Sequence, residues 1–340
     1  MKHPLIRRIA ATATAGLVVA LAACAAAPTE PAPSAPAPAE AETTSVEYSI
    51  GVLVPQENQN AYGASYVDNL RKKAEALGVT ITLLNSDYTA TTQQAQMDQL
   101  IAQGVDGIIL WPAVFGTTST MLLAAQEAGI PVNISNSVVS DEEVDLFNTF
   151  TGPSDVRIGS DQADIVNDLL GGQGNIVVIE GQPGNTAAIG RLNGLTDRLA
   201  EVAPGITILG SQPANWLQAM AQTATSNLLT RFGDQVDVVV AADDVMAAGA
   251  AAAIKNSGLS GISLVGSGYY EVTPALIESG EQFATLFQSP CWDAVYALEK
   301  MVDVLNGVAV DKEYLMPVPV VTKDTMADFT PMGCLPGTEF

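Results

Sequence analysis

Histidine is almost absent from this 340-residue chain, and positive charge is scarce. The one histidine, His3, lies in a stretch that reads as a removable leader, so the mature chain would carry none. That excludes Ser-His-Asp and Cys-His catalysis and every histidine-ligated metal. Fourteen Lys and Arg stand against 37 Asp and Glu, a formal net charge of −23. Nucleic-acid binding needs clustered cations, so such acidity argues against it. Phosphate-cradling P-loops, GxSxG elbows, GxGxxG turns after a strand and CxxC pairs are all missing. Asp141, Glu142, Glu143 and Asp145 lack the spacing and glycine of a calcium loop and read as a solvated face. The expectation is no enzyme, no metal and no cofactor. Beyond residue 23, no apolar run is long enough to span a bilayer. What is present is 48% apolar residues, enough for a sizeable core, in a length that suits two domains.

Residues 1–23 read as a secretory signal. Lys2, Arg7 and Arg8 precede the apolar run 9–23. It ends in Leu21-Ala22-Ala23-Cys24, which resembles the bacterial lipobox. The resemblance implies cleavage before Cys24 and acylation of its thiol; the alternative is an uncleaved anchor. Residues 24–45 are nearly all Ala, Pro, Thr, Ser and Glu, a tether that cannot bury a core. The chain is thus expected outside the cytoplasm, held to the outer face of the cell membrane by lipid alone. There the other two cysteines, Cys291 and Cys334, form a disulfide or remain as buried thiols.

The body alternates strand and helix. Strands are expected at 48–54, 79–85, 107–111, 132–134, 175–180, 206–211, 236–241, 263–265 and 283–287, with helices between. Continuous Val, Ile and Leu strands are buried on both faces, as in parallel sheets covered by helices. The pattern predicts a doubly wound α/β fold. An internal echo, Gly104-Val105-Asp106-Gly107-Ile108-Ile109-Leu110 against Asp234-Gln235-Val236-Asp237-Val238-Val239-Val240, suggests two lobes on one plan. Asp243-Asp244 follows a strand, where α/β proteins place ligand contacts; one is expected to face a ligand and the other to cap the next helix. Tyr62, Trp111, Trp216, Tyr269 and Tyr270 fall at strand ends or in loops. Aromatic faces among neutral polar groups suit a sugar, whose C–H faces pack on indole while its hydroxyls seek partners.

Several segments carry a family resemblance. They are Ile50-Gly51-Val52-Leu53-Val54-Pro55, Leu100-Ile101-Ala102-Gln103-Gly104-Val105-Asp106-Gly107, Ala128-Gly129-Ile130-Pro131-Val132, Gln182-Pro183-Gly184-Asn185-Thr186-Ala187-Ala188, Ser211-Gln212-Pro213-Ala214-Asn215-Trp216 and Ala242-Asp243-Asp244-Val245-Met246-Ala247. In this order and spacing, residues 49–322 resemble the type I periplasmic sugar-binding proteins that feed ABC importers. The resemblance implies two doubly wound parallel-sheet lobes joined by a three-segment hinge. One lobe would be 46–150 with 289–315, the other 151–288 with 316–340. The crossings would fall near 149–152, 288–290 and 314–317. Ligand would bind between the lobes of a monomer, and a membrane permease would read the closed form.

By position, the resemblance places Asn58, Gln59, Tyr62, Trp111, Asn136 and Ser137 on one side of the ligand. Arg191, Trp216, Asp243, Tyr269 and Gln288 face it from the other. Asn136-Ser137 stands where relatives often have Asp-Arg, and Ser267-Gly268-Tyr269 where many have Phe-Asp-Gly. Fewer charge-assisted bonds to hydroxyls follow, so ribose or galactose held in the usual way is not expected. Another monosaccharide, a polyol or a small non-sugar is. Two other readings stand beside this one: an ammonium ligand caged by Trp111, Trp216 and Tyr269 with Asp243, and a sensor presenting ligand to a membrane receptor.

Overall fold

The structure, a computed structural model, describes residues 47–57, 61–338 and 340. The leader, the tether, Cys24, Asn58 and Gln59 lie outside the described residues. From residue 47 onward strand and helix alternate. The first half contains β1 (Ser49–Val54), α1 (Ala61–Leu77), β2 (Thr80–Asn85), α2 (Ala90–Gln103), β3 (Gly107–Leu110), α3 (Ser119–Glu127), β4 (Val132–Ser135) and β5 (Phe150–Gly152). There follow α4 (Asp155–Leu170), β6 (Gln173–Glu180), α5 (Thr186–Val202), β7 (Gly205–Pro213), α6 (Gln218–Phe232), β8 (Val238–Ala241), α7 (Asp244–Ser257), β9 (Ser263–Val265), α8 (Thr273–Ser279) and β10 (Ala284–Leu286). The last elements are α9 (Pro290–Leu305), β11 (Glu313–Leu315) and β12 (Val320–Thr322).

Two six-stranded sheets result, ordered β11-β5-β4-β3-β1-β2 and β12-β10-β9-β8-β6-β7. Every pairing is parallel except β10 with β12. Strand alternation sorts the core. Ile50, Val52 and Val54 pack with Tyr66, Leu70, Leu298 and Met301 of α1 and α9, while Leu53 joins Leu100 and Met121 of α2 and α3 on the opposite face. In the second sheet Val177 and Ile179 face α6 and α7, and Ile176 and Val178 face α4 and α5. The doubly wound two-lobed architecture is therefore the one the apolar strands predict.

The chain passes between the sheets after β5, after β10 and after β11. Three short strands, β5, β11 and β12, were not anticipated from the sequence. Each has three residues, too few to show an apolar period, and the parallel ones are recruited by edge pairing (Tyr314 opposite Thr151). Ser289 caps α9 by accepting from the Trp292 amide, with Pro290 in the first turn. Cys291 in that turn is bonded to Cys334, Cα atoms 4.9 Å apart, and Ser289 Oγ donates to the Gly333 carbonyl at 2.7 Å. The C-terminal segment is thus fastened where the chain enters α9.

Candidate functional site

Both sheets point their C-terminal strand ends at one cavity, the usual ligand position in open α/β sheets. From the first sheet, Gln56 follows β1, Tyr62 opens α1, Tyr88 follows β2, Trp111 follows β3, and Asn136 and Ser137 follow β4. From the second, Asn185, Ala187 and Arg191 follow β6, Trp216 follows β7, Asp243 follows β8, Tyr270 follows β9 and Gln288 follows β10. The cavity holds about 350 Å³ of space free of atoms, its mouth included.

Backbone strain concentrates here. Tyr88, Asn136 and Trp216 all lie in the left-handed region, with φ of 54°, 62° and 61°. Bulky residues rarely adopt it, and such conformations gather where a side chain must be aimed. Trp216 is 7% exposed, and its six-membered ring lies over Gly181, where an added Cβ would come within 2.1 Å of Cη2. Its Nε1 is buried without an acceptor among the described residues. Trp111 is held from both ends. Gln93 donates to its carbonyl at 2.9 Å and accepts from the Ala113 amide at 2.9 Å, and Trp111 Nε1 donates to Ser137 Oγ at 3.2 Å. Edge contacts to Tyr62 and Tyr66 complete its socket.

Among the described residues Arg191 is the one cation lining the cavity, and its charge is already committed. Nε donates to Asp155 at 2.9 Å, one terminal nitrogen to the Ala242 carbonyl at 2.6 Å and Ser267 Oγ at 3.0 Å, and the other to Gln288 Oε1 at 2.7 Å. Burial works against the charge, but Asp155 keeps the guanidinium protonated, above its ordinary range. Its carbon sits 5.7 Å from the Trp216 ring centre. Asp243 caps α7 by accepting from the Met246 amide at 2.7 Å. Burial pushes its carboxyl up to about 7, against that amide and Arg191.

The expected division of labour between Asp243 and Asp244 is not what the structure shows. Asp243 both caps the helix and lines the cavity. Asp244 turns inward and accepts from the Tyr269 amide, Thr273, Gln282 and Thr285, tying the β9 and β10 loops together. Tyr269 is a second correction. Its ring packs on Phe287 and Phe329, and its hydroxyl donates to the Met326 carbonyl at 3.0 Å, away from the cavity. Tyr270 lines the cavity instead. The two tyrosines share a loop, and nothing in their order says which turns inward. Tyr62, Trp111, Asn136, Ser137, Arg191, Trp216, Asp243 and Gln288 line the same cavity. Gln56, Tyr88, Asn185 and Ala187 were missed. Asn185 lies in a segment that carried the resemblance, and that was the available signal; Tyr88 lies in none.

The model of the periplasmic binding protein domain matches residues 50–309. The xylitol-binding protein of Mycolicibacterium smegmatis is 31% identical over 253 residues, covering 74% of this chain and 71% of that protein. The ribose import binding protein of Bacillus subtilis is 27% identical over 277 residues, covering 82% and 88%. Among solved structures, the Caulobacter myo-inositol binding protein bound to myo-inositol superposes with a TM-score of 0.78 at 25% identity, covering 84% of this chain and 96% of that one. A family whose members bind solutes outside the cytoplasm fits a cavity with aromatic walls and, among the described residues, no nucleophile–base pair. This chain belongs to the periplasmic binding protein family, in its type I sugar-binding class.

Proposed function

We propose that this protein captures a sugar or polyol between its two lobes and delivers it to an ABC-type permease. The observation that carries this is the single cavity walled from both sheets by Trp111, Trp216 and neutral or already paired polar groups. Indole faces take the C–H side of such a guest, and Asn136, Asp243 and Gln288 meet its hydroxyls. A ligand oxygen would satisfy the orphaned Trp216 Nε1. The polyol side of the reading is supported by the relatives that bind xylitol and myo-inositol. A caged ammonium has less support, because the Trp216 face already meets Arg191.

The lobes of this reading are 46–150 with 289–315 and 151–288 with 316–340, closing over ligand as a monomer. Cys24 carries lipid and residues 24–45 hold the body off the membrane. Thermal-shift screening of the mature chain against pentoses, hexoses, pentitols, inositols and amines tests the assignment. One ligand class should raise Tm by several degrees through linkage, and Trp216→Ala should abolish the rise. A response to amines alone, or an undiminished one in Trp216→Ala, would overturn it. Mass spectrometry of the membrane-extracted protein checks for acyl chains on Cys24.

A further inference from the structure

Beneath the first-sheet wall of the cavity, and not lining it, lies Asp293 in the first turn of α9, fully buried. An ionised carboxylate only accepts hydrogen bonds, so it dictates which way neighbouring protons point. Tyr62 Oη donates to Asp293 Oδ2 at 2.8 Å, and Asn136 Nδ2 donates to the same oxygen at 2.6 Å. With its nitrogen so engaged, Asn136 offers Oδ1 to the hydroxyl of Ser137, which donates to it at 3.2 Å. Ser137 Oγ in turn accepts from Trp111 Nε1 at 3.2 Å. A side branch reaches Asp293 Oδ1 through Ser135 at 3.3 Å, and Ser135 is paired with Tyr66 at 2.8 Å. Of the polar protons on Tyr62, Trp111, Asn136 and Ser137, only the second on Asn136 Nδ2 is left over by this chain. Trp111 has then spent its only polar proton, and what Asn136 Oδ1 and Ser137 Oγ have left for the cavity is lone pairs.

We infer that Asp293 is a positioning residue that makes the Asn136–Ser137 part of the first-sheet wall a hydrogen-bond-accepting surface, so that the ligand must present hydroxyl donors to it. The inference rests on the sugar or polyol reading and states which face of the guest is recognised. Molecules that turn a carboxylate or carbonyl to this wall meet lone pairs and are rejected; a polyol is accepted where the corresponding sugar acid is not. Protonating Asp293 gives it a proton of its own to donate. Ser135, Tyr62 or Asn136 can take that proton; where Asn136 Oδ1 takes it, the direction of the chain reverses. The titratable groups that face Asp293 are Tyr62 and Tyr66 from α1 and Asp155 from α4. Burial, outweighing its three donors, pushes Asp293 up to about 7, so the reversal falls in an accessible range.

The test uses the mature chain with ¹⁵N-labelled tryptophan, the Trp111 indole resonance being assigned with Trp111→Phe. That resonance should move with a midpoint near pH 7 in the parent and in Asp243→Asn, and stay fixed in Asp293→Asn. A resonance that does not titrate in the parent, or titrates unchanged in Asp293→Asn, overturns the inference, and the first of these needs no variant to fold. Calorimetry with xylitol, myo-inositol and xylonate supplies the second arm. The parent should bind a polyol at least ten-fold more tightly than xylonate at pH 8, and Asp293→Asn should lose most of that preference. Equal binding of xylitol and xylonate by the parent would sink it. If neither polyol binds the parent, the polyol side of the ligand reading falls, and the Trp111 resonance alone decides the role of Asp293.

Discussion

Arg191 shows how much one residue holds. Its guanidinium joins Asp155, the β8 and β9 loops and Gln288, all buried. Replacing it with Met strands Asp155 without a counter-charge, so Arg191→Met should cost about 3–5 kcal/mol in urea unfolding as well as ligand response. Gly181→Ala separates the two effects. Its Cβ would press on the Trp216 ring at 2.1 Å, at a buried loop position just past β6. We expect the ligand-induced rise to be lost to a greater extent than the Tm of the free variant falls, and thermal shift reads both. The lining aromatics were legible because resemblance fixes loop positions. The tasks of Asp244 and Tyr269 were not, since the direction of a side chain in a loop depends on backbone angles that composition does not encode.

Among the elements, α4 and α5 make the closest crossing. A Cβ at Gly159 would lie 2.0 Å from the Arg191 carbonyl oxygen, and one at Gly194 would lie 2.0 Å from that of Val156. The helices touch backbone to backbone, a distance only glycine permits. Gly159→Ala should therefore destabilise by roughly 1–3 kcal/mol and displace Arg191, seen as a lower urea midpoint and a weakened ligand response. The long strands and helices were legible from apolar runs and glycine stops. This crossing was not, because glycines in a helix sequence read first as weak helix formers. The Cys291–Cys334 bond closes a loop of separation 43, so Cys291→Ala with Cys334→Ala should cost about 4 kcal/mol in the chain-entropy model. Comparing chemical denaturation of that double variant with the parent measures it.

For the whole molecule, acid should stabilise the unliganded form. Asp243 and Asp293 are both raised by burial to about 7, from an ordinary value near ~4. A raised carboxylate contributes stability that is full below its unfolded value and lost as pH climbs through the folded one. The Tm of the free protein should therefore be higher at pH 5 than at pH 8. A ligand that donates a hydroxyl to ionised Asp243 offsets part of the loss, so its Tm increment should be larger at pH 8; an increment independent of pH would refute this account. The two-lobed plan was legible from the repeated strand–helix rhythm and the internal echo. The polar chain behind the cavity was not, because Asp293 lies far along the sequence from Tyr62 and Asn136.

Tyr88 and Tyr270 exchange places across the two halves. Tyr88 leaves the loop after β2 to pack on the core of the second sheet, and Tyr270 leaves the loop after β9 to join the core of the first. Parting the halves withdraws both rings at once and leaves two greasy sockets wetted. If the lobes close as proposed, that burial would favour the shut form even before a guest arrives, and the guest would supply only the last part of the pull.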